Sequence, residues 1–202
     1  MMADSFDTPF ASSSRMQSES AGGALLAAEA YMPVKVLSDL RTDHAGESGA
    51  VCIYQGVLLF ARDPFLRDFA QHHLATEQSH LRQIESWLPR AHYSRLLPLW
   101  RLAGFITGAL PALFGTRAVY ATIEAVETFV DLHYAEQIRA LASQPALGAL
   151  RQTLLDCQAD EVAHRNEAAA AGGPGKPGLV LRFWCALVGL GSRSAVALCR
   201  HV

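Results

Sequence analysis

Two short segments of this sequence each place a carboxylate and an imidazole three residues apart. Glu77 and His80 form the first pair, and Glu161 and His164 form the second pair 84 residues later. Residues three apart lie on one face of an α-helix, so the two side chains of each pair can close on one metal ion. Each pair therefore supplies half of a candidate metal site.

Two further glutamates complete a repeated pattern, because Glu47 precedes the first pair and Glu127 precedes the second. The order E, ExxH, E, ExxH is the ligand pattern of ferritin-like di-iron carboxylate bundles. If Glu47 faces Glu77 across two antiparallel helices, the turn must lie near position 62, and for Glu127 and Glu161 it must lie near position 144. Proline-containing turn signals occur at both positions. The spacing therefore predicts an all-α fold built on a four-helix bundle.

Length and composition indicate one domain with a substantial core. The chain has 202 residues, is 50% hydrophobic and has a mean hydropathy of +0.14, which predicts that some apolar surface stays exposed. Residues 1–23 are polar and rich in serine, without the pattern of a secretory signal, and are expected to form a disordered tail. Residues 24–202 are expected to form the single ferritin-like domain, with a short helical turn at 24–31.

Charge and cysteine usage exclude some functions. The formal net charge is −2 and no basic run occurs, so nucleic acid is not an expected partner. The four cysteines lie in apolar stretches without CxxC spacing, which indicates core thiols in a reducing compartment rather than ligands or disulfides. These cysteines are Cys52, Cys157, Cys185 and Cys199.

Several local readings stay open at this stage. Gly46 and Gly49 flank Glu47, and two glycines inside a helix cost roughly 1 kcal/mol each, so either a long helix over 33–61 or a loop fits this segment. Glu124 competes with Glu127 as a ligand, since the midpoint test accepts both. The adjacent His72 and His73 are interpreted as surface residues or neighbours of the site rather than as ligands.

Residues 96–115 form an apolar segment that lacks acidic residues and connects the two helix pairs. The uncharged stretch 102–116 measures about 22 Å as a helix, too short to cross a hydrocarbon core of about 30 Å. Either a buried core helix or a helix lying at the bilayer interface fits, and the interface is favoured. A final apolar helix over 179–201 extends the same surface. The predicted fold is thus a ferritin-like four-helix bundle with two extra apolar, membrane-facing helices.

Carboxylate and imidazole ligands with open positions suit iron that activates oxygen. Four carboxylates and two divalent ions form a nearly neutral site, whereas the carboxylates alone would repel each other and take up protons. The sequence therefore predicts two iron ions, with O₂ as co-substrate.

Longer motifs resemble those of the demethoxyubiquinone hydroxylases, which are membrane-associated di-iron monooxygenases of ubiquinone biosynthesis. The likeness extends from about residue 36 to the C-terminus. The similar segments are 40–50 with its DHAGE motif, 77–80, 97–105, 126–134 and 160–164.

The resemblance implies both a ligand set and a reaction. It selects Glu127 over Glu124 and places the ligands at Glu47, Glu77, His80, Glu127, Glu161 and His164. It also implies a role near the quinone and the entry of electrons for His133 and Tyr134, whose alternative is packing beside the site. The implied substrate is a polyprenylated methoxy-methyl-benzoquinone, hydroxylated at its one unsubstituted ring carbon.

The same resemblance implies the cellular setting. An external reductant is required, with NADH as the candidate. The expected location is peripheral, on the cytoplasmic face of the inner membrane in a bacterium, with membrane lipid and accessory proteins of ubiquinone biosynthesis as partners.

Other functions of di-iron bundles remain as alternatives. A ferritin-like ferroxidase or iron-storage protein is the main one, and the apolar helices count against it because a soluble cage needs polar exteriors. The absent CxxC pairs count against a rubrerythrin-like peroxidase, and the absent basic face counts against a tRNA hydroxylase.

Overall fold

The computed structural model describes residues 32–202, which contain six α-helices and no strand. The tail expected for residues 1–23 and the helical turn expected for 24–31 lie outside the described residues. The helices are α1 (Val34–Phe60), α2 (Pro64–Trp87), α3 (Leu97–Ala112), α4 (Thr116–Leu141), α5 (Gly148–Ala171) and α6 (Leu179–Cys199). Short 3-10 turns follow α2 at Arg90–His92 and precede α5 at Pro145–Leu147.

The bundle consists of two antiparallel helix pairs, α1 with α2 and α4 with α5, joined by α3. Both tight connections lie where the glutamate spacing predicts them, at residues 61–63 and 142–147. The first is set locally: Asp63 Oδ1 accepts a hydrogen bond from the Leu66 backbone at 2.8 Å, and Pro64 is the first helical residue. The predicted all-α bundle is confirmed.

The start of α1 differs slightly from the expectation, because Pro33 precedes the helix instead of opening it. The helix α4 begins at Thr116. The cap position belongs to Gly115, whose φ of 104° is one that favours glycine. The segment around Glu47 is continuous helix, so the loop reading of that segment is wrong.

Two apolar clusters fill the bundle, one towards each end. The first joins the start of α1 to the ends of α2 and α4, and Leu40, Ile84 and Leu150 are among its fully buried members. The second joins the end of α1 to the starts of α2 and α4, with Val57, Ala70 and Ile123 at its centre. The buried polar residues form a layer between the two clusters.

The helix α3 lies against α1 with backbone touching backbone. An added Cβ at Gly104 would lie 2.3 Å from the Gly49 carbonyl oxygen, and one at Gly108 would lie 1.9 Å from that of Ile53. An added Cβ at Gly56 would likewise lie 2.3 Å from the Phe105 carbonyl oxygen. Only glycine permits this approach, which accounts for the two glycines of α3 that the apolar pattern alone does not explain.

We expect Gly108→Ala to lower the free energy of unfolding by about 2 kcal/mol or more, because the two helices must separate to admit the methyl group. Gly189→Ala in α6 is the matched control, since its added Cβ has no atom within 4 Å and alanine is the better helix former. Urea unfolding followed by circular dichroism measures both variants. Equal stability of the two would contradict the close approach of α1 and α3.

Both α3 and α6 pack against α1 and α4 and expose apolar side chains outward. The fully buried reading of α3 is therefore wrong: Leu102 is 56% exposed, and on α6 Phe183 is 73% exposed. Within residues 32–202, α6 is the one helix long and apolar enough to cross a membrane by length and composition.

Candidate metal centre

The six ligand residues of the sequence prediction lie on the inward faces of the four bundle helices. All are buried, with exposed fractions of 4% or less. One glutamate comes from the middle of α1, one from the middle of α4, and the two Glu-x-x-His pairs come from α2 and α5. The structure thus brings together Glu47, Glu77, His80, Glu127, Glu161 and His164.

These residues form two overlapping groups, each with ligand atoms within 4.8 Å of one another. The first group consists of Glu47, Glu77, His80 and Glu161, and the second of Glu77, Glu127, Glu161 and His164. Glu77 and Glu161 belong to both groups. Two neighbouring positions that share two carboxylates are the arrangement that a binuclear metal site requires.

Both histidines direct Nδ1 into the cluster. His80 Nδ1 lies 3.1 Å from Glu161 Oε1, and His164 Nδ1 lies 3.1 Å from Glu77 Oε1. Each histidine therefore faces the glutamate of the opposite Glu-x-x-His pair, which joins α2 to α5 at this level. Further carboxylate oxygens surround His80 Nδ1 at 3.7 Å, from Glu47 and Glu77.

Several ligand atoms of this cluster are buried without a hydrogen-bond partner among the described residues. They are Glu47 Oε2, both oxygens of Glu77, Glu161 Oε2 and His164 Nδ1. Buried carboxylate oxygens are normally paired, because leaving them unpaired costs desolvation free energy. Acidic oxygens and imidazole nitrogens together are a donor set suited to divalent iron, so the residues fit the predicted metal.

The pKa values of two cluster glutamates are shifted upward, so their negative charge is unfavourable in the absence of a nearby cation. Burial raises the pKa of Glu47 to about 8, although the nearby His80 lowers it. Burial, together with the charges of Glu161 and Glu77, raises the pKa of Glu127 well above its usual value. The raised pKa of both glutamates is the direction expected for clustered carboxylates without metal.

Glu161 behaves differently because it lies between the two histidines. Burial alone would raise its pKa, but the close approach of His164 and His80 outweighs burial and lowers the pKa to about 2. Burial alone would lower the pKa of His164, but the nearby Glu161 and Glu77 carboxylates reverse this and raise the pKa to about 9.

Two residues that the sequence reasoning did not single out support the ligands from outside. The Asp160 carboxylate lies 3.1 Å from His80 Nε2, the nitrogen that points away from the cluster. A carboxylate there orients the ring and raises the basicity of the inward nitrogen. Tyr54 donates a hydrogen bond to Glu127 Oε1 at 3.3 Å.

Tyr54 has a counterpart in Tyr134, and the two form a reciprocal pair. Tyr134 donates a hydrogen bond to Glu47 Oε1, so each tyrosine bonds to the glutamate of the opposite helix. Each tyrosine follows the glutamate of its own helix by seven residues, about two helical turns. This repeated spacing was a sequence signal for Tyr54.

His133 does not reach the six-residue cluster and instead joins a buried polar network beside it. Its Nε2 lies 3.1 Å from Asp43 Oδ1 and 3.0 Å from Thr42 Oγ1. Gln137 Nε2 lies 2.9 Å from the same nitrogen and donates to Asp43 Oδ1 at 2.6 Å. The predicted neighbours His133 and Tyr134 therefore contact different partners.

The alternatives left open by the sequence separate by burial. Glu124 is exposed whereas Glu127 is buried in the cluster. His72 is exposed as expected, but His73 is buried, with its ring 4.0 Å from that of His164. Hence His72 is a surface residue and His73 is a neighbour of the site, and neither belongs to the two ligand groups. The four cysteines are free thiols outside the two ligand groups.

Each of the two helix pairs supplies one glutamate and one Glu-x-x-His pair to a shared buried cluster. This arrangement defines a ferritin-like carboxylate bundle. The chain belongs to the family described as ubiquinone biosynthesis protein COQ7, whose model matches residues 35–199. The resemblance drawn from the sequence motifs is confirmed.

Three relatives illustrate the match. A protein of Rhodospirillum rubrum named 3-demethoxyubiquinol 3-hydroxylase is 38% identical over 136 residues, which cover 66% of this chain and 63% of that protein. Two further relatives are both named NADPH-dependent 3-demethoxyubiquinone 3-hydroxylase, mitochondrial, and each is 33% identical to this chain. The match to the Dictyostelium discoideum protein covers 62% of this chain and 59% of that protein. The match to the Rattus norvegicus protein covers 63% of this chain and 60% of that protein. The chain spans about 60% of the length of these curated relatives.

Proposed function

We propose that this protein is a di-iron monooxygenase that hydroxylates the ring of a polyprenylated demethoxyubiquinone in ubiquinone biosynthesis. The observation that carries the proposal is the pair of overlapping ligand groups that share Glu77 and Glu161 inside the bundle. The names of the relatives supply the substrate class and favour the hydroxylase over the ferroxidase alternative.

In this proposal the six cluster residues hold two iron ions, which supply oxygen activation when bound. Glu77 and Glu161 would be within reach of both positions because they belong to both ligand groups, and Glu47 and Glu127 would each be within reach of one. The two tyrosines hold Glu47 and Glu127 by hydrogen bonds. The two apolar clusters exclude bulk water from both ends of the site.

His133 and Tyr134 remain the proposed catalytic residues, and their contacts support separate tasks. Tyr134 is buried and hydrogen-bonded to Glu47, so it can pass a proton or an electron at the edge of the metal site. His133 lies next to it in the buried polar network. An external nicotinamide dinucleotide is the proposed reductant: the sequence analysis named NADH, and the names of two relatives specify NADPH.

The outward apolar faces of α3 and α6 support peripheral attachment to a membrane. Neither helix contains an acidic residue, and their charges are Arg101, Arg182 and Arg193. Such faces lie in the interface of a bilayer with anionic lipid, where a quinone with an isoprenoid tail is also held. We further propose that the protein is attached to the cytoplasmic face of the inner membrane, in a bacterium, and that its partners include accessory proteins of ubiquinone biosynthesis. Residues 24–202 are proposed to form its single domain.

The activity is tested in cells that lack their own hydroxylase and accumulate demethoxyubiquinone. We expect the wild-type gene to restore ubiquinone and Glu127→Ala to restore none, because Glu127 is the one ligand from α4. Glu124→Ala is the matched control and should restore ubiquinone, since Glu124 is exposed on the same helix. Continued accumulation despite an iron-loaded wild-type protein would overturn the proposal and favour a ferroxidase.

A further inference from the structure

Asp43 is a buried carboxylate that does not belong to either ligand group. It is 3% exposed and lies on α1 one turn before Glu47. Its Oδ1 is contacted by His133 Nε2 and Gln137 Nε2 from α4, whereas its Oδ2 is buried without a hydrogen-bond partner. A buried charge with this arrangement is costly, which indicates that the bundle retains Asp43 for what it does to its neighbours.

The groups around His133 decide which ring nitrogen carries the proton. Asp43 offers an ionised acceptor at 3.1 Å from Nε2. Thr42 donates its own hydroxyl hydrogen to the Asp39 carbonyl oxygen at 2.6 Å, so towards His133 Nε2, at 3.0 Å, its oxygen acts as an acceptor. The Gln137 amide nitrogen, a donor, lies 2.9 Å from the same Nε2, but it donates to Asp43 Oδ1 at the shorter distance of 2.6 Å. Two acceptors, one of them a carboxylate, therefore favour a hydrogen on Nε2.

The remaining nitrogen, Nδ1, is then the basic atom of the ring. Within residues 32–202 the hydrogen bonds of His133 all involve Nε2. A proton that reaches Nδ1 makes an imidazolium, whose charge the Asp43 carboxylate neutralises. A buried carboxylate that sets a histidine tautomer and stabilises its charged form is a general arrangement for proton transfer.

We propose that Asp43 is a positioning residue that holds His133 as the Nε2-protonated tautomer and leaves Nδ1 as the proton-accepting atom of the ring. Gln137 on α4 contacts both Asp43 and His133, and Thr42 on α1 contacts His133, so these two residues help to hold the pair together. The proposal concerns the structure of His133 itself. Its consequence for turnover rests on the hydroxylase activity proposed above.

The tautomer is measured on zinc-loaded protein with ¹⁵N-labelled histidine, by long-range ¹H–¹⁵N correlation, with the signals of His133 assigned from a His133→Gln variant. We expect wild-type His133 to carry its hydrogen on Nε2. In Asp43→Asn the charged acceptor is lost, and we expect the population to shift towards Nδ1–H. If wild-type His133 instead carries its hydrogen on Nδ1, with Nε2 accepting a hydrogen bond from Gln137, the proposal is overturned. This result does not depend on whether the Asp43→Asn variant folds.

Asp39→Asn is the matched control. Asp39 lies one turn earlier on α1 and is also buried, but its carboxylate pairs with Lys35 at 2.5 Å and Arg200 at 3.5 Å. It should leave the tautomer unchanged. A shift of equal size in both variants would show a general structural effect and also overturn the proposal.

Turnover supplies the second readout. We expect Asp43→Asn to lower ubiquinone formation about a hundredfold with two metal ions still bound, and Asp39→Asn to leave it near wild type. If wild type shows the Nε2–H tautomer but forms no ubiquinone, the proposed function fails and the role of Asp43 in orienting His133 stands. Unchanged turnover of Asp43→Asn in an active enzyme overturns the inference alone.

Discussion

Glu161→Ala is expected to reduce the metal content from two ions per chain to one or none. Glu161 belongs to both ligand groups, and its two oxygens face the two histidines, 3.1 Å from His80 Nδ1 and 3.4 Å from His164 Nδ1. Its removal therefore takes a ligand from both positions at once. Loading with ferrous iron under anaerobic conditions, followed by metal analysis of the purified protein, measures the stoichiometry.

Two controls separate loss of a ligand from loss of charge. Asp156→Ala removes an exposed carboxylate from the same helix, five residues earlier, and should retain two ions. On α4, Glu124→Gln should retain two ions while Glu127→Gln loses one. Retention of two ions by Glu161→Ala would remove Glu161 from the site, and a stronger effect at Glu124 would reverse the choice of ligand on α4.

Glutamate substitutions on the apolar faces of α3 and α6 are expected to release the protein from lipid vesicles. In Leu102→Glu/Phe183→Glu, two exposed apolar side chains that would enter the interface become charged. Each change forfeits about 2 kcal/mol of apolar burial, so the double variant should partition roughly a thousandfold more weakly. Flotation with vesicles that contain phosphatidylglycerol measures the bound fraction.

The control for this experiment adds the same charge elsewhere. Gln71→Glu/Gln78→Glu places two glutamates at exposed positions of α2 and should float like the wild type. Circular dichroism verifies that both double variants keep their helical content. If both float equally well, the apolar faces of α3 and α6 do not bind the membrane.

The ligand set and the helix order were readable from the sequence because a helix converts spacing into direction. Residues three apart share a face, and two antiparallel helices place their turn midway between facing residues. Glu77 with His80, Glu161 with His164 and the turns at 61–63 and 142–147 follow from this periodicity alone. The exposure of the apolar segment 96–115 was favoured on composition, with burial left open until the structure was known.

The tertiary structure decided what periodicity does not encode, namely which side chains meet across helices. Glu124 and Glu127 are three residues apart on α4 and both fit the turn midpoint, and only the packing of the bundle shows Glu124 exposed and Glu127 in the cluster. The same packing buries His73 and leaves His72 exposed.

The network around Asp43 depended on the tertiary structure for the same reason. Asp43 and His133 are 90 residues apart, and the antiparallel approach of α1 and α4 alone brings them within 3.1 Å. Reading the sequence along one helix face cannot supply that contact, because the register between two helices is set by the packing of many side chains at once. By itself, the helical spacing predicted the candidate metal ligands but left the choice between Glu124 and Glu127 open, whereas the contact between Asp43 and His133 depends on that register.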